Sequence, residues 1–204
     1  MISIIIPVAP KDEVPAALLE DLSLFPEETE LIIVPATRSL SGRANCMNAG
    51  AQDARGDHLF FLHADSRLPE PSILALLRSM ETGPDGLHYF DLAFHPGSHP
   101  LMLVTQWGVL FRSRILHTPY GDQGFCIRKD LFWQLGGFPA DVSLGEDHFF
   151  LRHARRSGIP LVPVKAPIFT SARKYEEHGW LKTTLIHNIL WRKQIRQDRG
   201  RWEA

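Results

Sequence analysis

The amino-acid sequence predicts an α/β protein with a mostly parallel central sheet flanked by helices. Three observations lead there. Over residues 2–80, short β-branched runs alternate with stretches whose apolar residues recur at helical spacing, giving β-α-β-α-β-α. The run Leu59-Phe60-Phe61-Leu62-His63 is nearly all apolar and too short for a buried helix, which suits a strand covered on both faces. Each run also ends on proline, glycine or a small polar cluster, where one element hands over to the next.

In chain order, Ile2 to Val8 is a β-branched strand, and Val14 to Phe25 carries Leu18, Leu19, Leu22 and Phe25 at helical spacing. Leu31 to Val34 is a second strand, stopped by Pro35. Ser41 to Ala54 is an alanine-rich helix, followed by the strand 58–63 and a helix from Pro71 to Met80. Beyond Gly83-Pro84-Asp85-Gly86 the pattern loosens. Leu87 to Phe94 reads as a strand on the far side of the sheet, and Leu101 to Ile115 as a helix with Leu103, Trp107, Leu110, Phe111 and Ile115 along one side. A short strand at Gly124 to Arg128 follows, then helices at Lys129 to Leu135 and Gly145 to Ser157. The last strand is Leu161 to Val164 and the last helix Trp180 to Gln194. Right-handed crossovers would join the parallel strands.

Bulk properties narrow the function classes. A length of 204 residues suits one domain, and 44% hydrophobic with 22% charged residues is ordinary for a soluble globular chain. A net charge of −1 offers no field for a nucleic-acid backbone, so nucleic acid is not an expected partner. Cys46 and Cys126 stand far apart, outside any CxxC spacing, and predict reduced thiols rather than a disulfide framework or a zinc site. No run approaches the ~20 apolar residues that span a bilayer, and the start lacks the basic flank of a signal peptide, so a cytoplasmic protein is expected.

Three polar clusters stand at element junctions. After the apolar strand comes His63-Ala64-Asp65-Ser66, where ligands bind in parallel sheets. Asp65 is either a carboxylate at the rim of a ligand crevice or, with Ser66, a cap for the helix beginning near Pro69. Pro119-Tyr120-Gly121-Asp122-Gln123-Gly124-Phe125 is either a tight polar loop with accessible N–H groups or an ordinary turn into an edge strand. Gly145-Glu146-Asp147-His148 opens a helix; its acids either complement the helix dipole or hold a general base toward a pocket.

Taken together, these pieces resemble an inverting, family-two-type glycosyltransferase with the GT-A fold, a Rossmann-like mostly parallel sheet. The narrower likeness is to the group known as radical-SAM/selenodomain-associated transferase 2. The matching stretches are Ser3-Ile4-Ile5-Ile6-Pro7-Val8, Gly42-Arg43-Ala44 through Met47-Asn48-Ala49-Gly50-Ala51, and Phe61 through Pro69. Pro119 through Phe125, Gly136-Gly137-Phe138-Pro139, Gly145-Glu146-Asp147, Ser171-Ala172-Arg173 and His178-Gly179-Trp180-Leu181 complete the set, in family order. The resemblance implies transfer of a sugar from a nucleotide-sugar donor to an unidentified hydroxyl, with inversion. It gives Asp65 as ligand to a divalent Mn²⁺ or Mg²⁺, with His178 beside it, and Asp147 as general base with Glu146 orienting the site. It places Pro7, Val8, Arg43, Asn48, His63, Ala64 and Arg173 on the donor side, Arg43 toward phosphate, and Asp122 and Gln123 on the acceptor side.

Departures from the family pattern are local. Ile33-Val34-Pro35-Ala36-Thr37 lacks the carboxylate that contacts the base or ribose, and Ala9-Pro10-Lys11-Asp12 replaces an Asn-Glu pair. His63 stands where the first Asp of a DxD would be. Asp12 or Asp57 is the substitute carboxylate on offer. The rival readings are a degenerate glycosyltransferase-fold scaffold without donor turnover and, more distantly, a nucleotidyltransferase, which would want a glycine-rich phosphate loop after the first strand.

The chain divides into a glycosyltransferase-like domain, 1–179, and a C-terminal amphipathic helix with a basic tail, 180–204. Leu181, Leu185, Ile186, Ile189, Leu190 and Trp191 precede Arg192, Lys193, Arg196, Arg199 and Arg201. Such a segment either lies on the anionic inner face of a membrane, which would suit a lipid-linked acceptor, or packs on the core or on a second subunit as a homodimer. The histidines show no HxxxH pair with a third ligand, so no structural zinc site is expected.

Overall fold

A computed structural model of the chain describes residues 1–10, 12–95, 98–142, 145–180 and 182–183. Its elements are β1 (Ile2–Val8), α1 (Ala16–Leu22), β2 (Glu30–Pro35), α2 (Arg43–Asp53), β3 (His58–Phe61), α3 (Glu70–Thr82) and β4 (Leu87–Phe94). Then follow α4 (Leu101–Arg114), a 3₁₀ turn at Gly121–Gln123, β5 (Phe125–Arg128), α5 (Lys129–Gln134), α6 (Glu146–Arg156), β6 (Leu161–Thr170) and α7 (Arg173–His178). The expected helix 180–194 and the tail behind it lie outside the described residues, apart from Trp180, Lys182 and Thr183.

Six strands make one sheet in the order β2-β1-β3-β5-β4-β6. β1 pairs parallel with β2 and β3, and β4 pairs parallel with β6. β5 runs antiparallel to both its neighbours, with Phe125 opposite Phe61. The chain therefore enters β5 at the edge of the sheet where β3 leaves it, which brings the loop before β5 to the residues after β3.

The period of two along each strand sorts the core into two layers. Ile4, Ile6, Phe60 and Phe90 face α1, α3 and α4. Ile5, Leu59, Phe61 and Tyr89 face α2, α5 and α6. Both faces are thus covered, as the unbroken apolar run at β3 predicts. Close packing is built in on the second face: a Cβ at Gly50 of α2 would stand 2.6 Å from Cγ2 of Ile5.

β6 is longer than the expected 161–164. Pro163 and Pro167 interrupt its sequence pattern, and Lys165 has φ +61°, with a register shift between Tyr89 and Asp91 on the partner strand. β6 ends the sheet order, and an edge strand tolerates prolines whose missing N–H a central strand would need. The apolar side foreseen for α4 is also not its core side. Met102, Val109 and Ser113 are buried, whereas Leu103, Trp107, Phe111 and Ile115 are exposed.

Candidate functional site

Two helices that face the cleft begin after a glycine with positive φ: Gly42 (+87°) before α2 and Gly145 (+85°) before α6. That backbone conformation is cheap only for glycine, and it turns the chain sharply so that the first helical residues meet across a gap. Arg43 and Met47 of α2, Asp147 of α6, and Phe61 and His63 of β3 and its exit line a small cleft. Gly121, Phe125 and Phe138 close it. Phe61 stacks edge-on against Phe138 at 4.9 Å, so the floor is a rigid aromatic surface.

The charged groups of the cleft hold one another. Arg43 Nε donates to Oε1 of Glu146, which is only 3% exposed, and Nη1 lies 3.2 Å from His63 Nε2. Asp147 accepts from the Gly121 N–H through Oδ2 (2.7 Å) and from the His148 N–H through Oδ1 (2.9 Å). Burial pushes the Asp147 carboxyl up, but the Arg43 charge, the two N–H donors and His63 outweigh it and hold it below the usual range. It is therefore ionised at neutral pH. A Cβ on Gly121 would approach Asp147 Oδ2 to 3.0 Å, so the glycine is what lets the loop close on the acid.

The loop after β3 is pinned from outside the cleft. Arg67 makes a two-pronged contact with Asp21 of α1 (2.6 and 2.9 Å), and its backbone pairs with Phe169. Ser66 N–H closes the turn on His63 O, leaving Asp65 exposed at the tip and Ala64 half-buried behind it. Asp65 therefore sits on a held turn, not on a flexible loop.

The structure brings together Arg43, His63, Glu146 and Asp147 of the residues singled out in the sequence. Pro7 and Val8 end β1, where Val8 O accepts from Ala36 N–H. Others are committed elsewhere. Asn48 spends both ends of its amide on the backbone of Phe138 (2.7 and 2.9 Å), which ties α2 to the aromatic floor. Gln123 is fully buried and bonds Phe90 O, Ser113 Oγ and Tyr120 N–H, which makes it the internal brace of the loop and closes it to a ligand. Arg173 is exposed on α7 and pairs with Glu177 at 3.8 Å. His178 ends the same helix. Asp57 sits at the start of β3, away from the cleft, paired with the N-terminal ammonium. Of the two substitute carboxylates only Asp12 follows the end of β1.

Sequence reasoning missed the pairing of Arg112 with Tyr120. The Arg112 guanidinium lies 3.6 Å over the Tyr120 ring, and its Nε donates to Thr118 O. An arginine one turn from a helix end, eight positions before a tyrosine, gives no recognisable spacing. Asp122 lies in the same region, half-buried, with Oδ1 sealed from solvent and without a hydrogen-bond partner among the described residues. Burial pushes its carboxyl up to about 6, against the pull of Arg112. Between about pH 4 and 6 the folded chain holds a proton that the unfolded chain releases. Stability from this group is therefore present at low pH and lost as pH rises through 6. Thermal unfolding followed from pH 4 to 7 should show that loss, and Asp122→Asn should flatten it.

No three His, Cys, Asp or Glu side chains among the described residues come together as a metal site. The donor available is the exposed Asp65 carboxylate, which suits a hard cation held jointly with phosphate oxygens and not a closed protein cage. Among the described residues no helix is long and apolar enough to cross a membrane.

No family model matches the chain, and no curated protein sequence does. Solved structures do. TarS 1–349 of S. aureus in complex with UDP-GlcNAc aligns with a TM-score of 0.64 at 17% identity, over 83% of this chain and 58% of that one. The mannosyltransferase PcManGT of Pyrobaculum calidifontis, in complex with GDP-Man and Mn²⁺, gives 0.65 at 16%, over 88% and 59%. The catalytic domain of Drosophila β1,4-galactosyltransferase 7 gives 0.56 at 15%, over 79% and 63%. The chain spans about three-fifths of each. The fold is that of the GT-A glycosyltransferases: a six-stranded, mostly parallel sheet flanked by helices.

Proposed function

We propose that the chain transfers a sugar from a nucleotide-sugar donor to a hydroxyl acceptor with inversion, assisted by Mn²⁺ or Mg²⁺. The observation that carries this is Asp147: a carboxylate kept ionised in a cleft at the exit of β3, on a fold shared with nucleotide-sugar transferases. The N-termini of α2 and α6 flank that cleft, and the positive ends of their dipoles favour a diphosphate there.

In the proposed reaction Asp147 takes the proton of the acceptor hydroxyl. That oxygen forms a bond to the anomeric carbon from the face opposite the diphosphate. The bond from the anomeric carbon to the phosphate oxygen breaks, and the nucleoside diphosphate leaves with the electron pair. Asp65, with His178 as a second candidate, would hold the cation, which supplies charge neutralisation of the leaving diphosphate. Arg43, steadied by Glu146 and His63, adds positive charge on the donor side, where Pro7, Val8 and Ala64 shape the wall. Asp122 and the Tyr120–Arg112 stack face the acceptor side. Residues 1–179 would form the transferase domain, and 180–204 a tail. The place of work we infer is the cytoplasm.

Calorimetry and thermal shift of the protein against UDP-, GDP-, CMP- and dTDP-sugars, each with Mn²⁺, Mg²⁺ or chelator, test the reading without an acceptor. A saturable, metal-dependent rise in Tm is expected with one donor class and should vanish in Asp65→Ala. A blank panel from folded protein would favour a scaffold that has lost the donor.

A further inference from the structure

α4 carries a broad apolar stripe that the body of the protein does not use. Leu103, Val104, Trp107, Phe111 and Ile115 are 57–71% exposed, while the opposite side of the helix packs on β4. Single exposed hydrophobics are common on protein surfaces. Five large ones in a row along one helix face form a patch of the size that marks a contact surface.

The described chain ends close to this helix. Trp180 packs against the core beside α4, and its indole Nε1 donates to Thr105 Oγ1 at 2.8 Å. Thr105 is half-buried on the flank of α4, between its core side and the stripe. The chain is therefore fastened to the flank of α4, only a few residues before Thr184. From there the sequence places Leu185, Ile186, Ile189 and Leu190 at the spacing of one helical face, with Trp191 next to them. α4 has 14 residues, about 21 Å of helix, and residues 184–195 in helical form would span about 18 Å. The two apolar stripes thus have similar lengths, and the anchor starts the segment beside α4.

We propose that the C-terminal segment 184–195 lies on the exposed face of α4 and buries Trp107 and its apolar neighbours. The proposal stands apart from the catalytic reading, since none of these residues lines the cleft. It has a consequence for it, because the far end of α4 is wired to the loop over Asp147. Ser113 Oγ donates to Gln123 Oε1 at 2.7 Å, and Arg112 stacks on Tyr120. A segment seated on α4 would stiffen that loop.

The test is the reactivity of one thiol. Trp107→Cys places a cysteine in the middle of the stripe, and the native Cys46 and Cys126 are both buried. Maleimide labelling of the full chain carrying Trp107→Cys should be roughly tenfold or more slower than in the same chain ended after Thr183, because a covered thiol reacts only on local opening. Leu185→Asp with Ile189→Asp in the full chain should release the protection equally, and it carries the test if the shortened chain does not fold. Equal labelling rates in all three proteins would overturn the proposal. Protection that disappears on dilution would assign the stripe to a second copy, and protection that needs anionic vesicles would assign it to a membrane; either result overturns it too.

Discussion

Asp147→Asn should lower kcat for sugar transfer by about 10²–10⁴-fold and leave donor affinity nearly unchanged. The substitution keeps the volume of the side chain and one of its two backbone contacts, to Gly121 or to His148, so the cleft stays shaped. It removes the group that can take a proton. Asp122 is the rival, because its carboxyl, pushed up to about 6, is the better matched base on basicity alone. Geometry decides between them. Asp147 lines the cleft, whereas Asp122 Oδ1 is sealed from solvent behind it. Once the donor panel has named a substrate, Asp147→Asn and Asp122→Asn can be compared in one transfer assay. Full activity in Asp147→Asn, with a dead Asp122→Asn, would move the base to Asp122.

The layers of the fold were legible because period and punctuation agree along the first half of the chain. The run at β3 announced a strand covered twice, and Gly145 announced the turn into α6. Legibility failed where local pattern and position disagree. β6 reads as broken at Pro163 and Pro167 because a sequence does not show that a strand lies at a sheet edge. The direction of β5 was hidden for a similar reason: a four-residue strand carries no mark of the neighbour it pairs against. α4 shows an apolar side in its sequence, yet tertiary context buries another side, so periodicity found the helix and misplaced its face. Around the site, Arg43, Glu146 and Asp147 could be named from motifs, but not that Arg43 pairs with Glu146 across 103 positions. Gln123 looked like a ligand group because it sits in a polar loop. Its three partners come from β4, α4 and Tyr120, and only the folded chain assembles them.

Arg43→Ala should destabilise the protein by about 2–3 kcal/mol, at or below the low end of the ~3–5 kcal/mol typical of breaking a buried ion pair. The discount follows from exposure. The Arg43 side chain keeps 38% of its surface in water while that of Glu146 keeps 4%, so solvent already screens part of the pair. What remains is the cost of stranding Glu146. Adding Glu146→Gln to Arg43→Ala should therefore recover much of the lost Tm, since an amide tolerates that site far better than an unpaired carboxylate. Donor binding gives the second axis. If Arg43 contributes charge to the diphosphate, calorimetry of the double variant should still show weakened donor affinity after stability has returned. Wild-type affinity in the double variant would restrict Arg43 to holding α2 against α6, and the positive charge on the donor side would then come from the cation at Asp65 and the two helix N-termini.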